Sequence, residues 1–144
     1  MQNTDNRLNT TWWALRLLFG FVPIAAGLDK FFNLLTNWEA YLNPFATRII
    51  PVSPATFMHV VGVIEISAGL VVLSHFTKTG AYVVTAWLVA IALNLLTMGR
   101  FLDVGVRDLG LAVAAFSLAQ LTAVREESTS SIGLGHPHAS PVRS

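Results

Sequence analysis

Residues 80–99 read GAYVVTAWLVAIALNLLTMG, and this stretch decides the fold class because it contains no charged side chain. About 20 consecutive apolar residues are enough for an α-helix to cross a hydrocarbon core of about 30 Å. A backbone surrounded by lipid has to satisfy its own hydrogen bonds, which a helix does and a single strand does not. The stretch therefore predicts a transmembrane helix.

Apolar runs of similar length lie on both sides of this helix. Hydrophobic residues make up 53% of the chain and charged residues only 12%, against about 25% charged in typical soluble domains. The mean hydropathy is +0.59. The sequence therefore predicts an all-α fold, an integral membrane four-helix bundle with spans at about residues 12–35, 55–74, 80–99 and 106–124.

Polar segments flank and interrupt this predicted transmembrane domain of residues 12–124. Residues 1–11 form a polar N-terminal tail, and residues 125–144 are rich in Ser, Gly, Pro and charge, which is typical of a disordered tail. Between the first two spans, residues 36–54 combine aromatic residues at helical spacing with three prolines. This pattern fits a short interfacial helix followed by an extended lid, or equally a plain connecting loop with aromatic anchors.

Several classes of function are excluded by what the chain lacks. It has no cysteine, so disulfides, thiol relays and thiolate metal sites are excluded. A net charge of +1 provides no field for a nucleic-acid partner. No phosphate-binding loop, nucleophile elbow or paired-histidine metal motif is present. We therefore expect no catalytic residue, no metal site and no cofactor that the sequence identifies.

Small residues recur at intervals of three and four along three of the predicted spans. In a bilayer such stripes let helices approach closely, because lipid supplies no hydrophobic drive for helix association. The helix-packing residues predicted on this basis are Gly20, Gly27, Gly62, Gly69, Ala112, Ala115 and Ala119.

Glu65 is the most informative ionisable residue, since it lies near the middle of the second span. A carboxylate at that depth costs on the order of 3 kcal/mol even on the lenient insertion scale, so it must be paired, protonated or functional. The long side chain of Arg16 is a candidate partner that would offset this cost. The pair either fixes the packing of the bundle or anchors the polar group of a ligand, and the sequence leaves both interpretations open.

The other polar residues of the spans cluster toward the membrane face opposite the termini. Together with Glu65 they predict a polar funnel that opens on that face beneath the 38–54 segment, although charges at helix ends also form an ordinary interfacial rim. The complete predicted cluster, buried or ligand-binding, is Arg16, Asp29, Lys30, His59, Glu65, Asn94, Arg107 and Asp108.

Short motifs in this order and spacing resemble the DoxX family. They are Leu15-Arg16-Leu17, Gly27-Leu28-Asp29-Lys30-Phe31, Gly62-Val63-Ile64-Glu65 followed by Gly69, and Val106-Arg107-Asp108. The resemblance extends over roughly residues 13–124. It implies a four-helix membrane protein related to the small membrane subunit of thiosulfate:quinone oxidoreductase, in a family whose members include membrane partners of sulfur- or redox-related proteins.

These observations lead to one principal functional hypothesis. We expect an accessory subunit in the bilayer of a bacterial-type cell membrane, which binds a quinone- or lipid-like ligand or a redox- or stress-related protein partner. We expect no intrinsic catalysis; any enzymatic role would be as a subunit of a quinone-linked oxidoreductase, with quinone as cofactor. The alternatives are a structural assembly protein without a small-molecule site and, ranked below it, a small transporter or proton-coupled carrier. A homo-oligomer is compatible with all three.

The orientation in the membrane follows from the basic residues. Four spans place both termini on one side, which holds five of the nine basic residues and is expected to be cytoplasmic. That side carries Arg7, Arg16, Lys78, Arg125 and Arg143, and the other carries Lys30, Arg48, Arg100 and Arg107.

Overall fold

The computed structural model describes residues 2–49 and 51–133, and all the regular structure in these ranges is helical. Four long helices form the body of the molecule, which confirms the all-α four-helix architecture. The elements are α1 (Gln2–Phe32), a short 3₁₀ helix (Trp38–Tyr41), α2 (Pro44–Ile49), α3 (Pro54–Leu73), α4 (Thr77–Met98) and α5 (Leu102–Gly133).

Three of the long helices can cross a membrane by length and composition, namely α1 from Asp5 onward, α3 and α4. α5 is not among these candidates. Its apolar run is bounded by Asp108 and Arg125 and is shorter than the about 20 residues that a span needs. The chain is thus an integral membrane protein with three candidate spans, and the fourth span at 106–124 stays a prediction.

Large apolar side chains on the outside of the helices agree with a lipid surrounding. A soluble protein rarely exposes so many, since extended apolar patches on a soluble surface drive association. In a bilayer the outer surface is covered by hydrocarbon instead. Such outward residues occur on every long helix and include Phe21, Val60, Val63, Leu70, Val83, Leu93, Val113 and Phe116.

The first and the last of the long helices both extend further toward the chain termini than the sequence predicted. α1 begins at Gln2, so nearly all of the expected polar tail belongs to it, and α5 continues past residue 125 to Gly133. A hydrogen bond of 2.6 Å from Arg125 Nη1 to Asn9 Oδ1 connects these two extensions. The remainder of the expected C-terminal tail, residues 134–144, lies outside the described residues.

The helix ends follow from local sequence chemistry. Ser53 caps α3 by accepting a hydrogen bond from the backbone N–H of Thr56, and Pro54 occupies the first helical position, as is common at helix starts. α4 ends at Met98, and the following Gly99 caps it with a φ of 63°, the left-handed conformation that glycine adopts without a steric penalty. α1 ends at Phe32, before the predicted end at residue 35, because Asn33 turns the chain with a φ of 51°.

The long helices form two closely packed pairs, α1 with α3 and α4 with α5. In the first pair the predicted glycine stripes face each other: a Cβ on Gly27 would lie 2.5 Å from the Gly62 carbonyl oxygen. One on Gly69 would collide with the carbonyl oxygen of Gly20. Both contacts are with backbone, which cannot move aside, so glycine is required for this approach of α1 to α3.

The two pairs meet in a packed core near the end of the bundle that holds the termini. The indole Nε1 of Trp12 donates to Thr122 Oγ1 at 2.8 Å and joins α1 to α5 there. The buried side chains of this core come from all four long helices, namely Trp12, Phe19, Ala68, Val72, Ala81, Val84, Ala115, Leu118 and Ala119. Toward the opposite end the pairs separate and leave a cavity between them.

Candidate functional site

A buried ion pair lies on one wall of the cavity. Lys30 Nζ of α1 is 2.6 Å from Glu65 Oε2 of α3, and the two side chains are only 4% and 8% exposed. The second carboxylate oxygen, Oε1, accepts a hydrogen bond of 3.4 Å from Trp87 Nε1 of α4. Glu65 therefore connects both helix pairs, and the opposite charge of Lys30 offsets the desolvation of the carboxylate.

Trp38, in the 3₁₀ helix, covers this ion pair. Lys30 Nζ lies 3.6 Å from the centre of its ring, within the range of a cation–π interaction. Its indole Nε1 donates to Asp29 Oδ2 at 2.7 Å. The Asp29 carboxylate also accepts from the backbone N–H groups of Leu34 and Leu35. Asp29 thus holds the turn after α1 and orients Trp38 above Lys30.

Tyr41 attaches the same 3₁₀ helix to the second pair of helices. Its carbonyl oxygen accepts a hydrogen bond of 2.9 Å from Asn94 Nδ2 of α4. Its ring stacks on Phe101, with 4.5 Å between ring centres. The segment from Thr36 to Leu42, which we call the lid, therefore spans the gap between the two pairs at this end of the bundle.

Beneath the lid lies a cavity of about 590 Å³, bounded by α1, α3, α4, α5 and the lid itself. Its walls are largely apolar and aromatic, and the polar side chains are few. The polar lining residues are Lys30, Thr36, Glu65, Asn94, Arg107 and Asp108, and the apolar ones include Leu18, Val22, Trp38, Phe57, Val61, Trp87, Leu88, Ile91 and Leu111.

Asp108 and Arg107 occupy the wall that α5 contributes. The guanidinium Nε and Nη2 of Arg107 each lie 3.3 Å from Asp108 Oδ1. The Arg107 side chain is 65% exposed and that of Asp108 only 8%. Arg107 therefore lies at the edge of the cavity, with Asp108 inside it.

The family model described as DoxX matches residues 11–100, which include most of α1, the whole lid, α3 and α4. The chain belongs to the DoxX family. No curated protein and no solved structure matches it. The matched residues of this DoxX protein contain the Lys30–Glu65 pair, Trp38, Trp87 and Asn94. Asp108 lies beyond the matched range, as does the Val106-Arg107-Asp108 motif.

The structure corrects the predicted pairing of Arg16 with Glu65. The Arg16 guanidinium instead donates to the carbonyl oxygens of Val72, Leu73 and Ser74 at distances of 2.6–3.2 Å. These carbonyls end α3 and have no partner within the helix, so Arg16 caps α3 at the terminal end of the bundle. The partner of Glu65 is Lys30 instead.

Two more of the predicted polar residues lie outside the cavity lining. His59 is on the outer face of α3, where its ring stacks on Phe31 with 4.8 Å between centres. Asp29 lies behind the lid and acts on the cavity only through Trp38. The structure thus gathers Lys30, Glu65, Asn94, Arg107 and Asp108 around the cavity and leaves Arg16, Asp29 and His59 away from it.

The predicted alanine stripe of α5 lies in the interior of the bundle. Ala112, Ala115 and Ala119 are each at most 3% exposed, and the last two belong to the packed core.

In the described residues no group of three or more His, Cys, Asp or Glu side chains could hold a metal ion.

Two tryptophans of the site were not singled out from the sequence as site residues. Trp38 belongs to the 36–54 segment, for which the sequence predicts either an interfacial helix with a lid or a loop with aromatic anchors, and Trp87 lies in the uncharged third span. An indole N–H within hydrocarbon needs an acceptor, and a carboxylate at similar depth needs donors. That complementarity was the available signal for placing Trp87 beside Glu65.

Proposed function

We propose that this DoxX-family protein is an accessory membrane subunit that holds a quinone- or lipid-like amphiphile in the cavity under the lid. The cavity carries the proposal: at about 590 Å³ it falls within the about 300–1,000 Å³ typical of small-molecule sites. Its polar residues are concentrated toward the lid, and apolar side chains line the rest. This division suits a molecule with a polar head and a hydrocarbon tail.

A supporting role agrees with the chemistry that the chain carries. Without cysteine it has no thiol couple of its own, so electrons would pass between the bound amphiphile and a redox- or stress-related partner. The protein would bind and orient the ligand in the bilayer. In this role Lys30 and Glu65 line the α1–α3 side of the head-group site, and Trp87, Asn94 and Asp108 line the α4–α5 side.

A purely structural protein is the second candidate, and one observation favours it. Among the described residues, no buried side-chain nitrogen or oxygen lacks a hydrogen-bond partner. The polar cluster could therefore serve packing alone. However, a bundle selected only for packing has no use for a large cavity between its helix pairs, and voids of that size cost stability.

Filling the cavity separates the two candidates. Ala26 lines the cavity, whereas its neighbour Ala25 faces outward from the same helix. The Ala26→Phe variant places a ring in the ligand space, and Ala25→Phe adds the same ring to the lipid-facing surface. All three proteins would be extracted gently, and the lipids, quinones and proteins retained by each identified by mass spectrometry.

We expect an amphiphile to co-purify with the wild type and with Ala25→Phe, and to fall by about tenfold in Ala26→Phe, as an overpacking penalty would produce. Equal retention in all three proteins would contradict the proposed site. A wild type free of amphiphiles that carries only protein partners would favour the structural candidate.

A further inference from the structure

The hydrogen-bond donors on the inner walls of the cavity are already engaged. Lys30 Nζ donates to Glu65 and, at 3.5 Å, to the carbonyl oxygen of Ala26, and it also faces the Trp38 ring. The indole N–H of Trp87 is directed at Glu65. A ligand that only accepts hydrogen bonds would have to displace one of these contacts.

Asn94 has its donors engaged as well. Its amide nitrogen Nδ2 donates to the Tyr41 carbonyl oxygen at 2.9 Å and contacts Met98 Sδ at 3.8 Å. Its amide oxygen, Oδ1, makes no hydrogen bond within the described part of the chain. Asn94 therefore offers the cavity an acceptor.

Asp108 offers a second acceptor. Its Oδ1 accepts from Arg107, and its Oδ2 has no partner among residues 2–49 and 51–133. The residue as a whole is 5% exposed and lines the cavity, but no buried side-chain oxygen of the described residues lacks a partner, so Oδ2 is an accessible acceptor. A ligand in the cavity that donates a hydrogen bond can pair with this charged oxygen.

The two acceptors lie at neighbouring levels of the α4–α5 pair. A Cβ on Gly105, one turn before Asp108, would contact Leu96 and the carbonyl oxygen of Ala92. Those two residues flank Asn94 on α4. This register places Asp108 about one helical turn from the level of Asn94, and both residues line the same cavity.

We propose that the cavity selects amphiphiles whose head group donates hydrogen bonds, with Asn94 Oδ1 and Asp108 Oδ2 as the acceptors. This inference rests on the proposed function. The hydroxyl groups of a quinol and of a hydroxylated lipid share the required chemistry. The Arg107 donors lie at the exposed edge of the cavity. The hydroxyls of Thr36 and Tyr41 donate as readily as they accept, so they do not favour a head group that only accepts hydrogen bonds.

Two matched pairs of probes test the selectivity, each differing only in the donor. One is a decyl-substituted benzoquinol and its benzoquinone, compared under anaerobic conditions; the other is dodecanol and dodecyl methyl ether. Equilibrium binding to the full chain in lipid nanodiscs would be measured from the probe retained. We expect the donor of at least one pair to bind about tenfold more tightly, the gain from one added hydrogen bond to an open acceptor.

The Asp108→Asn variant examines the assigned acceptor, because its amide can donate into the cavity in place of the open oxygen. We expect the ratio of donor-probe affinity to non-donor-probe affinity to fall to about one. The Asp103→Asn variant, on the exposed start of the same helix, should leave this ratio unchanged. If Asp108→Asn does not fold, the wild-type ratio decides on its own.

The outcomes separate this inference from the proposed function. A preference in the quinol pair alone identifies a quinol head, and one in both pairs identifies a general hydroxyl site; both support the proposal. Quinone and ether binding as tightly as quinol and alcohol, in a manner that Ala26→Phe abolishes, would overturn the selectivity and leave the cavity function standing. No binding of any probe would count against both.

Discussion

Lys30 and Glu65 carry much of the electrostatic cost of this bundle. Each is almost completely buried, and a single charge left without its partner in hydrocarbon is far more expensive than the pair. The pair is also shielded from both sides, since the Trp38 ring covers Lys30 and the Trp87 N–H reaches Glu65. Removing one partner should therefore be worse than removing both.

A double-mutant cycle tests this coupling. We expect Lys30→Met and Glu65→Leu each to lower the free energy of unfolding by about 3 kcal/mol, because each strands a buried charge. The double variant should recover most of the sum of the two losses. Equilibrium unfolding in mixed detergent–SDS micelles measures all four proteins, and strictly additive losses would show that the pair is not coupled.

The facing glycines of α1 and α3 show why Arg16 is not the partner of Glu65. In the antiparallel pair of α1 and α3, Gly27 faces Gly62 and Gly20 faces Gly69, so the two residue numbers of every facing pair add up to the same total. The same total places Arg16 opposite Leu73, whose carbonyl it binds. Depth measured from the helix ends missed this register and led to the wrong partner.

Lys30 reaches Glu65 because of the direction of helical side chains. By the register of α1 and α3, Lys30 lies nearer the lid than Glu65 does. Side chains on a helix point back toward its N-terminus, which carries the Lys30 ammonium to the level of Ala26. Helical spacing predicts the face on which a side chain lies, whereas the length and direction of the side chain decide which residue it contacts.

At the scale of the elements, the contact of α1 with α3 depends on backbone proximity. The two helices meet at glycines where neither has room for a side chain. Sequence spacing predicts these glycines as packing residues because a stripe of small residues has few other uses in a membrane helix. By contrast, the position of the lid across the cavity could not be derived from spacing, because the lid is held by a hydrogen bond that Asp29 accepts and by one that Asn94 donates, and these two residues are distant in sequence.

Adding one methyl group at two glycines distinguishes close packing from helix propensity. Gly27→Ala should lower the free energy of unfolding by about 1–3 kcal/mol, because its Cβ meets the Gly62 carbonyl and the helices must separate. Gly110→Ala is the control, since a Cβ there contacts nothing within 4 Å. We expect it to be neutral or to stabilise by up to about 1 kcal/mol. Equal effects in SDS unfolding would contradict the assigned contact.

At the scale of the whole molecule, α5 decides the topology. Its second half lies beside the start of α4, where Lys78 Nζ is 3.3 Å from Glu126 Oε2, and beside α1, through the bond between Trp12 and Thr122. α5 thus runs alongside helices that are long enough to cross the bilayer. By hydropathy α5 is not a candidate span, because the charges that line the cavity and bind neighbouring helices shorten its apolar run.

The absence of cysteine makes that topology directly measurable. Single cysteines at Thr10, Glu39, Arg100 and Thr129, all exposed positions, would be labelled with a membrane-impermeant maleimide in sealed vesicles of known orientation. We expect positions 10 and 129 to react from the cytoplasmic side and positions 39 and 100 from the opposite side. Labelling of position 129 together with position 100 would show that α5 does not cross.

The ion pair under the lid also has a consequence for biosynthesis. Lys30 leaves the ribosome 35 residues before Glu65, a delay of roughly 2–7 s at about 5–20 residues per second. Lys30 lies two residues from the end of α1, so its ammonium can extend to the membrane surface before Glu65 has been synthesised. Glu65, in the interior of its helix, cannot reach the membrane surface in this way. Because Lys30 is synthesised first, Glu65 enters the bilayer when its counter-ion is already present.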